Sequence, residues 1–275
     1  MKLLLLGIDG LRPDCLLFSN TPTIKYLLLH GSYTFDSNII STTLSGPSWG
    51  CILSGKTENI TKIFSNSIAE DDNYKWKCDN IFSVLNSMNV NTTSLVSHWE
   101  GMANLVQDSN NKIYEKNKSF TECDEIIIQK TIKKIKELNN SGNEFVFTYI
   151  VGVDETAHDY GFSIKTKEYI QYIEKIDLLL KPLIKICKDT DWNIIITTDH
   201  GGCNYDELEE TQRNGFATSN YNMYIGVHGL NIPQHTRVFQ IYYGNAFKKI
   251  FGNKEILTKR SNADIYTDVI NVFKL

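Results

Sequence analysis

Ile194-Ile195-Ile196-Thr197-Thr198-Asp199-His200-Gly201-Gly202 is a branched apolar run that stops at an acid, an imidazole and two glycines. An unbroken run of this kind, without polar alternation, marks a strand buried on both faces. Two other stretches repeat the pattern. Leu3 to Ile8 runs into Asp9-Gly10, and Phe145 to Val153 runs into Asp154-Glu155-Thr156-Ala157-His158. Between such strands lie stretches with helical spacing: Pro22 to His30 behind Thr21 as N-cap, Ser45 to about Gly55, Ile81 to Met88, Lys130 to Asn139 and Tyr169 to Asp189. Further strands are expected at Ser32 to Ile40, Asn91 to Ser97, Tyr221 to Val227 and Thr236 to Tyr243. Alternation of this sort predicts an α/β fold, a central mostly parallel sheet flanked by helices on both faces. In such a sheet the strand ends converge on one edge, and ligands bind there.

A chain of 275 residues is long enough for one large α/β domain or two small ones. No repeat and no linker composition marks a boundary, so a single domain over 1–275 is expected. The polar stretches 58–77 and 108–118 read as small surface insertions framing the site. Net charge is −4 with no basic tract, which argues against a nucleic-acid-binding surface. Met1 to Leu6 is apolar but meets Asp9 almost at once, without a small-residue cleavage site, so it reads as a first strand rather than a leader. No apolar run approaches the roughly 18–20 residues of a membrane span. The six cysteines form no C-x-x-C pair, which argues against a cysteine zinc site and for a reducing compartment; a cytoplasmic protein is expected.

The chemistry is concentrated at the three strand ends. Asp9, Asp154 with His158, and Asp199 with His200 supply the oxygen and nitrogen donors that two Zn²⁺-like ions require. Asp154 and His158 lie four apart and share one side of a helical turn. Ser45-Gly46-Pro47 opens a helix, where free N–H groups and the dipole favour an alkoxide or a phosphate oxyanion. Each feature alone has a plainer explanation: turn chemistry, a helix cap, a structural histidine. Three of them at strand ends beside a nucleophile argue for a two-metal hydrolase. Thr42 and Thr43 compete with Ser45 as nucleophile; His30 and His98 have no role and read as structural.

Together the motifs resemble the alkaline phosphatase superfamily, nearest its type I phosphodiesterase/nucleotide pyrophosphatase branch. They are Gly7-Ile8-Asp9-Gly10-Leu11-Arg12-Pro13-Asp14, Thr21-Pro22-Thr23, Ser45-Gly46-Pro47-Ser48-Trp49 with Ser54-Gly55, Asp154 to Gly161, and Thr198 to Gly202. The resemblance implies an alkaline phosphatase-like three-layer sandwich. It implies that Asp9, Asp199 and His200 hold one metal with the Ser45 hydroxyl, and that Asp154 and His158 hold the other. The third ligand of that second metal is expected to be His228, followed by Gly229, with His235 and Asp206 as alternatives. Ser45, two residues before Pro47, stands where the family has its nucleophile. Ser48 stands where the family places an asparagine that holds a phosphoryl oxygen. Two divalent ions are implied, zinc first, manganese or magnesium as alternatives. The substrate would be a small phosphorylated molecule, a nucleotide by family precedent, attacked at a phosphodiester or pyrophosphate bond through a covalent phospho-serine. The missing Arg of a C/S-x-P-x-R motif speaks against a sulfatase. No cationic group lies beside the motifs except Arg12 and Lys56, which tilts the reading from monoester to diester. Trp49, Trp99 and Tyr160 are candidates to stack on a nucleobase. The alternatives are a phosphomonoesterase of the same superfamily and a degenerate relative that binds a nucleotide or protein without chemistry.

Overall fold

A computed structural model describes residues 1–71, 74–214 and 224–275. Among the described residues ten strands are formed: β1 (Lys2–Ile8), β2 (Ser32–Asn38), β3 (Asn91–Ser97), β4 (Asn111–Glu115), β5 (Glu144–Ile150), β6 (Asn193–Thr197), β7 (Cys203–Asn204), β8 (Gly226–Val227), β9 (Arg237–Tyr243) and β10 (Arg260–Ser261). Eight of them make one sheet in the order β10-β2-β9-β6-β1-β5-β3-β4, and β7 pairs with β8 in a separate ribbon. The pairs β6-β1, β1-β5, β5-β3 and β3-β4 are parallel, whereas β9 runs antiparallel between β6 and β2. The sheet is mostly parallel and covered by helices, as its apolar runs require.

Strand β1 shows why the runs do not alternate. Leu4 and Leu6 pack into the core on one face, with Ile127, Ile132, Ile176 and Leu180. Leu3 and Leu5 pack into the core on the other, with Trp49, Ile52, Phe82 and Val269. All four leucines are fully buried, each contributing about 1.5–3 kcal/mol of apolar transfer.

Several local expectations are modified by long-range contacts. The Pro22–His30 helix begins after Thr21, but the Thr21 side chain makes no cap. Asp177, from the long Lys167–Asp189 helix, accepts from the Thr23 and Ile24 amides instead, at 3.0 and 2.7 Å. The helix expected from Lys130 starts ten residues earlier, at Phe120, because Ser119 and Glu122 close a capping box. The stretch 108–118 contains β4, an edge strand of the main sheet rather than an excursion. In the stretch 58–77, Ile63, Ile68 and Tyr74 are buried against the Ser45–Ser54 helix and its surroundings. Of the strand expected at 221–227, Gly226–Val227 is formed, and 221–223 lie outside the described residues. Among the described residues no helix is long and apolar enough to cross a membrane.

Candidate active site

The carboxyl ends of β1, β5 and β6 meet at one edge of the sheet. Asp9 is the first residue past β1, and its amide donates to Ile150 at the end of β5, 3.0 Å away. Gly10 then turns the chain with φ +65°, and a Cβ there would lie 2.3 Å from an Asp154 carboxylate oxygen. The position is therefore closed to other residues on two counts. Asp154 and His158 stand on the Gly152–Tyr160 helix that follows β5. Asp199 and His200 follow β6, with Asp199 Oδ1 accepting from the Gly10 amide at 3.2 Å. His228 comes directly after β8 and supplies the third member of the second group.

Two donor triads result: Asp9, Asp199 and His200, and Asp154, His158 and His228. Within each, one donor atom per residue lies within 4.8 Å of the others. The imidazoles are all oriented the same way. Nδ1 of His158 donates to the Gly226 carbonyl (2.8 Å), that of His200 to Gly201 (3.0 Å) and that of His228 to Thr43 (2.8 Å). This fixes each ring's orientation and turns its Nε2 into the site, the arrangement metal-binding histidines adopt. The His200 and His228 rings stack with centroids 3.7 Å apart, joining the two triads.

The carboxylates carry a complementary deficit. Asp9 Oδ1, Asp154 Oδ1 and Asp199 Oδ2 are buried without a hydrogen-bond partner. Burial, and then the charge of Asp154, push the Asp9 carboxyl up to about 8; burial and Asp9 drive Asp199 well above the ordinary range. Burial likewise opposes charge at Asp154, but His158 outweighs it and holds Asp154 low. Against its own burial, the Asp154 charge raises His158 to about 9. Burial, followed by a neighbouring imidazole, drives His200 and His228 well below the usual histidine value. Packed acids with orphaned oxygens, beside three imidazoles that turn Nε2 toward them, are a set of ligands suited to divalent cations.

The other Asp9 oxygen is satisfied. Oδ2 accepts from Tyr149 Oη at 2.6 Å and Trp49 Nε1 at 2.9 Å. Trp49 is fully buried under β1, so close that a Cβ on Gly7 would lie 2.4 Å from its ring. It holds Asp9 and is not free to stack on a ligand.

Ser45 opens the Ser45–Ser54 helix, and its Oγ lies 3.2 Å from His200 Nε2. Its competitors are engaged elsewhere: Thr42 Oγ1 donates to Glu58 and Thr43 Oγ1 to the Leu230 carbonyl. Ser48 does not meet the cavity. It is fully buried, donates to the Asp199 carbonyl at 2.6 Å and accepts from Asn262 at 3.1 Å. The expected phosphoryl contact is corrected here: one turn into the helix, Ser48 points back to the β6 end. Asn66 occupies the place beside Ser45 instead. Its Oδ1 accepts from the Gly46 amide at 2.8 Å, which leaves its NH₂ as a donor in the cavity. Sequence reading missed it because it lies 21 residues on, in a stretch read as an insertion.

The two alternatives named for the last ligand lie outside both triads. His235 is buried with both nitrogens used, Nδ1 accepting from Leu230 and Nε2 facing Cys203 Sγ at 3.1 Å. Asp206 is exposed in a short turn outside both triads. His30 bonds to the Tyr26 carbonyl, and His98 sits on a left-handed turn after β3.

A cavity of about 290 Å³ opens on these groups, lined also by Trp99, Tyr149, Glu155 and Tyr224. Tyr160 is half exposed and does not line it. A larger groove of about 630 Å³ runs between the Pro22–His30 and Lys167–Asp189 helices, but it gathers no imidazole or helix-end serine. The acidic and imidazole cluster lies at the smaller cavity.

A mostly parallel sheet with this cluster at its carboxyl edge is the alkaline phosphatase-like architecture, and solved structures agree. Murine ectonucleotide pyrophosphatase/phosphodiesterase 5 superposes with a TM-score of 0.73 at 18% identity, over 100% of this chain and 95% of that one. An inactive variant of the same murine protein in complex with AMP gives 0.74 at 18%, with the same coverage. A Bacteroides fragilis structure described as a sulfatase gives 0.69 at 14%, over 96% of this chain and 72% of that one. No curated protein matches the sequence. The model of the type I phosphodiesterase/nucleotide pyrophosphatase family matches residues 3–224, and the chain belongs to that family.

Proposed function

We propose that this protein is a metal-dependent phosphodiesterase that works through a covalent phospho-serine at Ser45. The observation that carries the reading is the Ser45 hydroxyl, at a helix N-terminus and 3.2 Å from His200 Nε2 of one triad, in one cavity with Asp9 and the Asp154, His158 and His228 triad. Two divalent ions, zinc first, would be held by Asp9, Asp199, His200 and Ser45 Oγ, and by Asp154, His158 and His228. Bound there, they would supply Lewis-acid charge that lowers the serine hydroxyl pKa and stabilises the leaving oxygen.

The chain's own groups do the rest. Ser45 Oγ forms the new bond to phosphorus as the ester oxygen on the far side departs. The Asn66 amide, oriented by the Gly46 N–H, donates to a phosphoryl oxygen whose charge grows in the transition state. Trp49 and Tyr149 keep Asp9 fixed, so its free oxygen stays aimed into the site. Water then cleaves the phospho-serine and restores the hydroxyl.

Among the described residues no lysine or arginine lines the cavity. A dianionic monoester would want such a cation, so the lining supports a diester over a monoester. A nucleotide fits family membership, with Trp99 and Tyr224 as stacking surfaces. The six cysteines, all free and five of them buried, support an intracellular setting.

Ser45→Ala tests the reading. With the two esters bis-p-nitrophenyl phosphate and p-nitrophenyl phosphate, the wild type should prefer the diester. The variant should lose turnover while retaining two zinc ions per chain by elemental analysis. Undiminished turnover in the variant would remove Ser45 as the nucleophile, and a wild type that binds no metal and cleaves neither ester would leave only a binding role.

A further inference from the structure

Ser48 stays out of the cavity, but its hydroxyl joins segments far apart in the chain. It donates to the Asp199 carbonyl at 2.6 Å and accepts from the Asn262 amide at 3.1 Å. Asn262 follows β10, past residue 224, where the match to the family model ends. Both side chains are fully buried. Asn262 also meets the Ser45–Ser54 helix one turn further on, where Cys51 Sγ donates to its Oδ1 at 3.6 Å.

Chemistry fixes the direction of these bonds. A carbonyl only accepts, so the single Ser48 proton is committed to Asp199. A backbone amide only donates, and that of Ile40 reaches Asn262 Oδ1 at 3.3 Å, which leaves the Asn262 NH₂ to face Ser48. Asn262 is anchored in turn. Its own N–H donates to the Asn38 carbonyl at 3.1 Å, and the Ser261 carbonyl before it accepts from Gln240 at 2.7 Å. Gln240 stands on β9 opposite Thr197, the last residue of β6. Helix and sheet are thus bound into one frame behind the site.

That frame sets the spacing on which attack by Ser45 depends. Ser45 and Ser48 lie one turn apart on the same side of their helix. Among the described residues two hydrogen bonds join that helix to the residues just past β6, Ser45 to His200 and Ser48 to Asp199. The first is between reacting groups, so it does not hold the spacing through the reaction. The second lies outside the cavity. The bonds that the Gly10 and Leu11 amides make to Asp199 and Thr198 tie the same corner to the β1 side only.

We propose that Asn262 is a positioning residue for the Ser45 reaction: acting through Ser48, it sets the distance between the nucleophile helix and the Asp199-His200 corner. The proposal rests on the phosphodiesterase reading above and extends it to a residue that touches neither substrate nor metal.

The test is a double-mutant cycle on the full zinc-loaded chain, with Asn262→Leu, Ser48→Ala and the two combined. Hydrolysis of bis-p-nitrophenyl phosphate is read per folded chain, the folded fraction coming from circular dichroism. Each single variant is expected to lower kcat at least about tenfold, because small misplacements of reacting groups are costly, with KM within about twofold of wild type. The double variant should be no more than about twofold worse than Ser48→Ala, since Asn262 acts through that hydroxyl. Chelator competition in a His228→Ala background, where the Asp9, Asp199 and His200 triad is left to bind, should show zinc held about tenfold more weakly in Ser48→Ala. A merely structural role would lower the folded fraction and leave kcat per folded chain and zinc affinity unchanged. Ser48→Ala decides the matter even where Asn262→Leu does not fold. Full turnover in Ser48→Ala, unchanged zinc affinity, or losses that simply multiply in the double variant would overturn the positioning role while wild-type cleavage of the diester keeps the phosphodiesterase reading. If the wild type cleaves no diester, that reading fails and the positioning role falls with it.

Discussion

Asp124 touches no part of the cavity, yet the placement of Asp154 and His158 depends on it. It lies on the Phe120–Glu137 helix, fully buried. Its Oδ1 accepts from Ser97 Oγ at 2.5 Å and the Val151 amide at 3.1 Å; its Oδ2 accepts from the Gly152 amide at 2.9 Å and Tyr172 Oη at 3.1 Å. Burial raises its carboxyl to about 6, with those four donors pulling the other way, so it is ionised at neutral pH. The two amides are the corner where β5 becomes the Gly152–Tyr160 helix. Asp124→Ala strips them of their acceptor. An orphaned buried N–H costs about 1–3 kcal/mol, so the pair costs about 2–6 kcal/mol, while the two hydroxyls can turn elsewhere. A loss of about 4 kcal/mol is expected in urea unfolding of the zinc-free chain. Asp124→Asn, which keeps one acceptor oxygen, should lose about half of that. The corner carries two ligands of the second triad and none of the first. Zinc affinity at the Asp154/His158/His228 site should accordingly fall about 10–100-fold, as when metal-supporting partners are removed, while the other site changes little. A stability loss below about 1 kcal/mol, or equal weakening of both sites, would refute the reasoning.

Three other substitutions bear on the same edge. Trp49→Phe keeps the packing under β1 but removes one of two donors to Asp9; a loss of about 1.5–3 kcal/mol is expected, and a null result in chemical denaturation would mean that Tyr149 suffices. Gly10→Ala asks a Cβ to occupy the position of an Asp154 oxygen on a left-handed backbone; it should cost at least about 1–2 kcal/mol and lower zinc content, and full occupancy would show that the corner can shift. His228→Ala should drop zinc from two ions to one per chain, whereas His235→Ala should keep both and only destabilise the fold; the reverse pattern would transfer the ligand role to His235.

The strand runs, the fold class and most of the site were legible in the sequence because they are set by chain-local chemistry. A buried parallel strand needs a continuous apolar run, and the residue that follows it stands on the ligand edge. Asp9, Asp154, His158, Asp199 and His200 could therefore be named from position alone, and Ser45 from the helix its Gly-Pro opens. Contacts between segments far apart in sequence decided what remained. His228 joins the second triad because β8 pairs with β7 and brings it onto His200; His235, seven residues later, is turned toward Cys203. Asn66 takes the place expected of Ser48 because a helix turn rotates Ser48 away while a packed surface segment delivers Asn66. Asp124, Asp177 and Glu155 have no local signature, since an acid is read as surface until its neighbours are known. Periodicity records which side of an element is buried, but it does not record which partner the burial supplies.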